Sequence, residues 1–586
     1  MKLSKKDVIT TTTFRHLLII QVLSNITGLV GPFIDGIVIS NFLGSVSMAA
    51  FGIATPIPIV LAAISGIFNS GSQALAGRYM GRGQVKELNS LMTLVVLGTT
   101  AIGALLTVIM VCFPASVAAL LGAQGEIVAD CADYVRSLAF GVIPILLTPV
   151  LVGFLQIDQD GKRAVTSALI MSIANAAMDI LTAVLHLGMF GMGLATAISQ
   201  AIAVGYMLLH FTKKNSKLKF IPKGMQFSKL TVILATGLPS AVYHFCNVLR
   251  IGALNRLLVN RCDTKTVAAF SVQNSLTPII MGCIIGTGVT TLLVCSVIAG
   301  EENRRSLRKT LAYILKLGVS IAFGLAVFVF AFAKVPLAMM FCGSSDPELL
   351  TLVTRVLRFF SVSIPFTMLN MILIFYYQSM QKNGLSNFIC IFDNAVFLIA
   401  SAYLLSDLIG SDGVWVSFLI AEVMILIVLA FIVGFKQHKI PTSLHDFMLL
   451  PDDFGVDVDH RMNITATSLD EVTTISEDII NFCEKQGIDS RRSMAAGLCM
   501  EEFAAAALAD DGSARKLPYV DIYLTYKNGE LKIRLRDNGV PFDTAKLNPD
   551  NTSDIGDAAS MRIVTSLAKD VSYSSVLGLN VFSLVL

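Results

Sequence analysis

Charge is scarce in this chain. Of its 586 residues only 15% are Asp, Glu, Lys or Arg, against 54% hydrophobic, and mean hydropathy is +0.72. A soluble globule cannot hide that much apolar surface, so an ordinary water-soluble fold is excluded for most of the length. Cysteine carries no pattern. The ten cysteines, at positions 112, 131, 246, 262, 283, 295, 342, 390, 483 and 499, form no CxxC pair and no spacing suited to zinc. That excludes a cysteine metal framework and leaves them as small apolar fillers. A cleavable leader is not expected either. Met1 to Arg15 is polar and basic, and the apolar stretch after it is too long for a signal peptide and lacks a small-residue cleavage site, so it is expected to be retained. The formal net charge of +3 gives no hint of a nucleic-acid partner.

What is present is unevenly spread. Residues 441–586 hold 23 acidic and 13 basic side chains, whereas residues 1–440 hold 18 acidic and 31 basic. A basic membrane part followed by an acidic soluble part is the simplest reading. Windows of about 20 apolar residues predict twelve membrane helices. They fall at about 17–39, 48–70, 90–112, 134–156, 165–187, 190–211, 230–255, 268–298, 312–333, 355–378, 386–408 and 413–435.

The first six spans recur in the second six. Ala49-Ala50-Phe51 with Thr55-Pro56-Ile57 returns as Ala268-Ala269-Phe270 with Thr277-Pro278-Ile279. Tyr134-Val135-Arg136 with Ile143-Pro144 returns as Val356-Leu357-Arg358 with Ile364-Pro365, and Gln156 to Gly161 returns as Gln378 to Gly384. The period is about 222 residues. Six helices per repeat return the chain to its starting side, so the halves are expected to be parallel copies about an axis along the membrane normal, a plan common among transporters. The expected organisation is an N-lobe over 1–220, a C-lobe over 221–440, a linker over 441–464 and a soluble domain over 465–586.

Basic residues mark one side. Lys5, Lys6 and Arg15, then Arg78 and Arg82, Lys162 and Arg163, the lysines between positions 213 and 229, Arg304 to Lys309, Lys382, and Lys436 with Lys439 alternate with loops bearing Glu126, Asp130, Glu348, Asp407 and Asp412. The positive-inside rule therefore places both termini and the acidic domain in the cytoplasm of a plasma- or inner-membrane protein, with lipid as its surroundings.

Ionisable groups inside apolar spans demand a reason. Asp35 follows Pro32, which bends a helix and frees a carbonyl nearby. Asn175 and Asp179 are four residues apart and share one helix face. Thr196 lies early in the sixth span. Converging oxygens of this kind suit sodium or a shared proton. The second half offers a polar set of His244, Asn247, Gln378 and Glu422, with Arg250 deep enough to need a partner or a wet cavity. Asp393 is expected near a helix end, where it would be unremarkable.

Residues ~10–440 resemble the MATE (multidrug and toxic compound extrusion) family. The matching text is Asp35-Gly-Ile-Val-Ile-Ser-Asn-Phe-Leu-Gly44, Gly77-Arg78-Tyr79-Met80-Gly81-Arg82-Gly83, Asn175-Ala-Ala-Met-Asp179 and Gly191-Met-Gly193-Leu-Ala195-Thr196. The resemblance implies two six-helix lobes around a central cavity, and efflux of organic, often cationic, compounds in exchange for protons or sodium. It implies a cation site at Asp35, Asn175, Asp179 and Thr196. Other members use a C-lobe acid site on the seventh and tenth helices. Here the seventh span has no acid and the tenth offers only Asn370 and Gln378, which favours the N-lobe.

After Pro441 the pattern changes. Ser468 to Gln486 reads as a helix capped by Ser468 with Glu471 three residues on, and Met494 to Ala509 as a second. Strands are expected at Tyr519–Tyr526 and Leu531–Arg536 around Lys527-Asn528-Gly529, then a helix at about 559–569 and strands near Val571–Tyr573 and Val581–Leu586. The expected fold class is thus an all-α polytopic membrane protein of twelve spans followed by a small α/β sandwich with a mostly antiparallel sheet. Asp537-Asn-Gly539-Val-Pro541-Phe542-Asp543 and Leu498-Cys-Met-Glu501-Glu502 resemble the adenine box and the catalytic helix of GHKL ATPases, especially anti-sigma-factor kinases. That resemblance implies ATP contacts at Glu502, Asp537 and Gly539. The family's magnesium-binding asparagine falls on Ala506, and the lid at Ile555-Gly556-Asp557-Ala558-Ala559 keeps one glycine, so a regulatory module contacting a cytoplasmic protein is expected rather than an enzyme. No required cofactor is expected, nor a metal beyond sodium. The other readings are a membrane sensor signalling through this domain and a lipid or lipid-linked precursor flippase. His438, His445 and His460 lie in a short linker without heptads, which disfavours a sensor kinase.

Overall fold

A computed structural model describes residues 8–28, 30–213, 216, 218–222, 225–262, 264–338, 347–451, 454–456, 458–472, 474–508, 519–527, 529–537, 568–576 and 579–586. Among these residues, eleven helices are long and apolar enough to cross a membrane. The twelfth expected span, at 17–39, is helical over its described residues as α1 (Val8–Gly28) and α2 (Val30–Val38), with position 29 outside the described residues and a π-helical turn at Ile39–Leu43.

Most of the remaining spans run longer than their apolar windows. In the first half they are α3 (Ser45–Ala54) with α4 (Pro56–Gly81), α5 (Val85–Cys112), the short α6 (Pro114–Leu120), α7 (Ile127–Leu138) with α8 (Val142–Ile157), α9 (Gly161–Val184) and α10 (Gly188–Leu208). In the second half they are α11 (Ser228–Arg261), α12 (Thr264–Gly300), α13 (Arg304–Phe332), α14 (Pro347–Ser379), α15 (Asn383–Ile391) joined by a π-helical turn at Phe392–Phe397 to α16 (Leu398–Ile409), and α17 (Ser411–Gln437). The extensions exist because the ends of α4 and α12 are covered by protein and can carry polar residues. Ser70, Ser72 and Gln73 of α4 are all buried.

The two halves meet through glycine. A Cβ on Gly81 would stand 2.1 Å from the Val297 carbonyl oxygen, and one on Gly300 would stand 2.4 Å from that of Arg78. Only glycine lets α4 and α12 approach this closely. The seam is then closed by polar groups. Gln378 donates to Ser70 (3.0 Å) and to the Thr236 carbonyl (2.6 Å), and Arg78 donates to the Ser379 carbonyl (2.8 Å) and to Gln381 (2.9 Å). These contacts lie on the side of the basic loops.

The expected linker is not structureless. It holds α18 (Leu444–Met448), entered through a capping box of Ser443 and Asp446, and most of β1 (Arg461–Ala466). The unit that follows therefore starts earlier than residue 465. Its other strands are β2 (Val520–Lys527), β3 (Glu530–Asp537), β4 (Asp570–Val576) and β5 (Leu579–Val585), in the order β1-β2-β3-β5-β4, all antiparallel. Two helices, α19 (Ile475–Lys485) and α20 (Ser490–Leu508), share an apolar core with it through Ile479, Met500, Ile533, Leu535 and Phe582. Ser468 does not cap α19. It starts a short 3₁₀ turn, while the Glu471 carboxylate accepts from the Thr467 backbone and α19 begins after Thr474. The helix expected at 559–569 lies almost wholly outside the described residues, and Ala568 and Lys569 are not helical.

Candidate functional site

In the first half, two elements converge on a buried acid pair. Asp35 comes from α2, and Asn175 and Asp179 come from one face of α9. The Asn175 amide donates to Asp35 Oδ1 at 2.9 Å and to Asp179 Oδ2 at 2.7 Å. All three are buried, and Asp179 Oδ1 has no partner among the described residues. A Cβ on Gly31 would stand 3.0 Å from Asn175 Oδ1, so α2 comes close enough to hold the amide in place. Ser172 on α9 donates to the Thr27 carbonyl at 3.0 Å and ties down the end of α1. Two carboxylates joined by one neutral amide, away from water, form an arrangement that a proton or small cation relieves.

Thr196 does not join them. Its hydroxyl donates to the Met192 carbonyl one turn back at 3.3 Å, and no hydrogen bond connects it to Asp35, Asn175 or Asp179. A helix residue can always satisfy its hydroxyl this way, so sequence position alone could not assign it to the site.

The second half differs from its expected polar set. Glu422 of α17 accepts from Thr367 (2.6 Å) and Asn370 (2.5 Å) of α14. It borders a cavity of about 30 Å³, enough for one or two waters, with Arg250, Asp393, Gln273, Asn274 and Thr277. The other three members of the set lie elsewhere. Gln378 belongs to the seam between the halves, Asn247 accepts from Arg250 at 2.5 Å, and His244 packs edge-on to the Tyr243 ring at 5.6 Å. The missed member is Asp393. It lies in the π-helical turn at Phe392–Phe397, buried rather than at a helix end, and its Oδ1 has no partner among the described residues. A mid-helix π turn often marks a functional position, but such turns leave no trace in apolar periodicity. The visible signals were Arg250 and two acids deep in apolar spans.

One hydrogen bond is shared by the two halves. Thr148 donates to Gln200 at 3.1 Å, and the residues 222 further on, Asn370 and Glu422, repeat the bond at 2.5 Å. A hydroxyl–amide pair in one half is thus an amide–carboxyl pair in the other.

At the basic-side ends of α8, α9 and α10, His210 contacts Asp158 at 2.7 Å and Asp160 at 2.8 Å, with Arg163 3.1 Å from Asp160. Burial works against the Asp160 charge, yet His210, Arg163 and Lys213 outweigh it and hold its carboxyl below the usual range. In the C-terminal unit Glu502 is exposed on α20, and Asp537 is buried at the end of β3, accepting from Asn580 at 2.8 Å. Gly539 and the lid residues 555–559 lie outside the described residues.

Comparison with known proteins follows the same division. The sequence model of the MatE family matches residues 21–181 and again 224–404. The chain is 25% identical over 439 residues to the Multidrug export protein MepA of Staphylococcus haemolyticus (strain JCSC1435), covering 72% of this chain and 91% of that protein. It is 22% identical over 325 residues to the Probable multidrug resistance protein YoeA of Bacillus subtilis (strain 168), covering 53% and 69%. Among solved structures, one described as MATE in complex with MaD3S superposes with a TM-score of 0.68 at 22% identity over 73% of this chain and 96% of that one. Another, the outward-facing conformation of a multidrug resistance MATE family transporter of the MOP superfamily, gives 0.68 at 23% identity over 75% and 98%. At these identities the superpositions speak for the fold.

Proposed function

The chain belongs to the MatE family, and on that premise we propose that it exports organic cations in exchange for protons taken up at Asp35 and Asp179. The observation that carries this reading is the Asn175 bridge, with one amide donating to both carboxylates. With its N–H group turned to the acids, Asn175 presents no oxygen to a sodium ion there, which favours a proton. In the charged state the pair draws a cationic compound into the space between the lobes. Protonation removes that attraction and frees α2 to move. Drug and proton then exclude one another, and that exclusion is the thermodynamic coupling an antiporter requires. The names of the relatives, multidrug export and multidrug resistance proteins, agree with a broad organic cargo.

The C-terminal unit is read as a cytoplasmic regulatory domain related in fold to GHKL ATPases and without turnover. Ala506 stands where the magnesium-binding asparagine is expected, and Asn580 hydrogen-bonds the Asp537 carboxylate that would take adenine. Vesicles loaded with ethidium and given proton and sodium gradients separately test the main reading. Export driven by the proton gradient is expected. Export driven by sodium alone would reassign the ion, and movement indifferent to both would favour a flippase or sensor.

A further inference from the structure

Helices packed on one face of an antiparallel sheet leave the other face to solvent unless something covers it. Along β3, Leu531, Ile533 and Leu535 turn towards α19 and α20, so Lys532, Arg534 and Arg536 occupy the second face. That face is charged and yet partly covered: Lys532 is exposed, whereas Arg534 and Arg536 are half-buried. Arg536 forms an ion pair with Glu301, and the two side chains are 14% and 4% exposed. Tyr523, cross-strand from Arg534, is 7% exposed. Val581 of β5 packs into the apolar cluster of the membrane helices, while Phe582 and Leu584 belong to the core of the C-terminal unit.

The cover is the turn between α12 and α13. Besides Glu301, Glu302 lies 3.6 Å from Lys527, and Arg304 donates to the Pro451 carbonyl at 2.7 Å. The chain before β1 crosses the same turn so closely that a Cβ on Gly455, whose φ is 83°, would stand 2.7 Å from the Glu302 carbonyl oxygen. Behind it, Tyr376 and Tyr377 of α14 donate to the carbonyls of Met448 (3.1 Å) and Phe447 (2.8 Å) in α18. All these anchors lie on the second half. One touch reaches the first: a Cβ on Gly83, in the turn between α4 and α5, would stand 3.3 Å from Ser572 Oγ of β4. The two turns are repeat counterparts, and the helices entering them, α4 and α12, are the pair in glycine contact at the seam. Burial opposes the charge on Arg536, but the carboxylates of Glu301 and Asp521 outweigh it and keep the guanidinium charged.

We propose that the C-terminal unit is an intramolecular clasp. Its second sheet face is latched to the α12–α13 turn by the Glu301–Arg536 pair and abuts the α4–α5 turn, so it holds closed the side on which α4 and α12 must part. Opening that side moves Gly83 away from Ser572, and the strength of the latch sets how often this happens. The proposal rests on the two lobes alternating in access, but not on which ion or cargo is carried. Breaking one member of the pair strands the other charge in a buried site, whereas reversing both restores the attraction.

The test is single-molecule energy transfer in the full chain, in nanodiscs, between fluorophores introduced through genetically encoded unnatural amino acids at Lys162 and Arg308, both exposed on the basic side of opposite halves. It reads distance and not transport, so failure of the clasp and failure of proton antiport are separate results. Glu301→Arg or Arg536→Glu is expected to raise the population of the long-distance state about tenfold, and the double reversal to return it to within about twofold of the parent. Should a full reversal fail to fold, Glu301→Gln is expected to raise that population about threefold. An unchanged population in the single variants, or a double reversal that behaves like the singles, would overturn the clasp.

Discussion

The two repeated halves bury acids in opposite company. In the first, Asp35 and Asp179 share the amide of Asn175. In the second, Asp393 and Glu422 share a cavity with Arg250, whose guanidinium also lies 5.9 Å from the centre of the Phe418 ring. A guanidinium beside two carboxylates leaves at most one negative charge to neutralise, whereas an amide leaves two. The difference teaches where an exchangeable cation is needed. On the proposed reading the first half recruits one from outside, and the second carries most of its own.

That comparison can be broken most directly at the acids. Asp179→Asn or Asp35→Asn is expected to lower proton-driven ethidium export at least about 100-fold, a loss of about 2.7 kcal/mol in coupling, with the protein still in the membrane. Export near the parent rate in both would remove the first half from the mechanism. Next in size is Arg250→Leu, which strands the second-half acids. It is expected to destabilise the folded protein by about 3 kcal/mol, read as a drop in melting temperature in detergent, and adding Glu422→Gln should return part of it. A melting point unchanged by Arg250→Leu would mean the guanidinium does not balance those acids.

Glu422→Gln alone sharpens the contrast. It rebuilds in the second half the neutral bond that Thr148 and Gln200 make in the first, so export should fall no more than about threefold, less than about 0.7 kcal/mol. A loss as large as that of Asp179→Asn would make the two halves equal partners in coupling. Thr196→Ala is expected to change export less than about twofold, since the hydroxyl serves only the Met192 carbonyl. The smallest effect concerns acid. The Asp160 carboxyl has a folded pKa below its unfolded value of about 3.9, so its stabilising contribution is complete above that value and is lost as pH falls through the folded pKa. The melting temperatures of Asp160→Asn and the parent should therefore differ at pH 7 and converge as pH falls below the folded pKa.

Much of this was legible in residue order. Eleven of the twelve apolar windows correspond to spans, and the MatE matches at 21–181 and 224–404 follow the repeat. Asp35, Asn175 and Asp179 stood out because a charge in hydrocarbon has few innocent explanations. The misreadings share a cause. Gln378 looked like a second-half ligand and closes the seam, and Asp393 looked peripheral and is buried beside Glu422. Both depend on which helix lies opposite, and periodicity records only that a face is polar. β1 was missed because Arg461–Ala466 carries weak alternation at the edge of the sheet, where its partner β2 decides its state.

The order of residues alone determined that this chain lives in a membrane, that it is built twice, and that its first half holds ionisable groups at a cost. Those conclusions follow from transfer free energies, which belong to each residue wherever its neighbours lie. Tertiary structure alone decided which acids meet, that an arginine answers one pair and an amide the other, and that the charged face of the sheet is covered by the α12–α13 turn. Pairing energies depend on distance and burial, and those exist only once helices far apart in sequence are packed side by side.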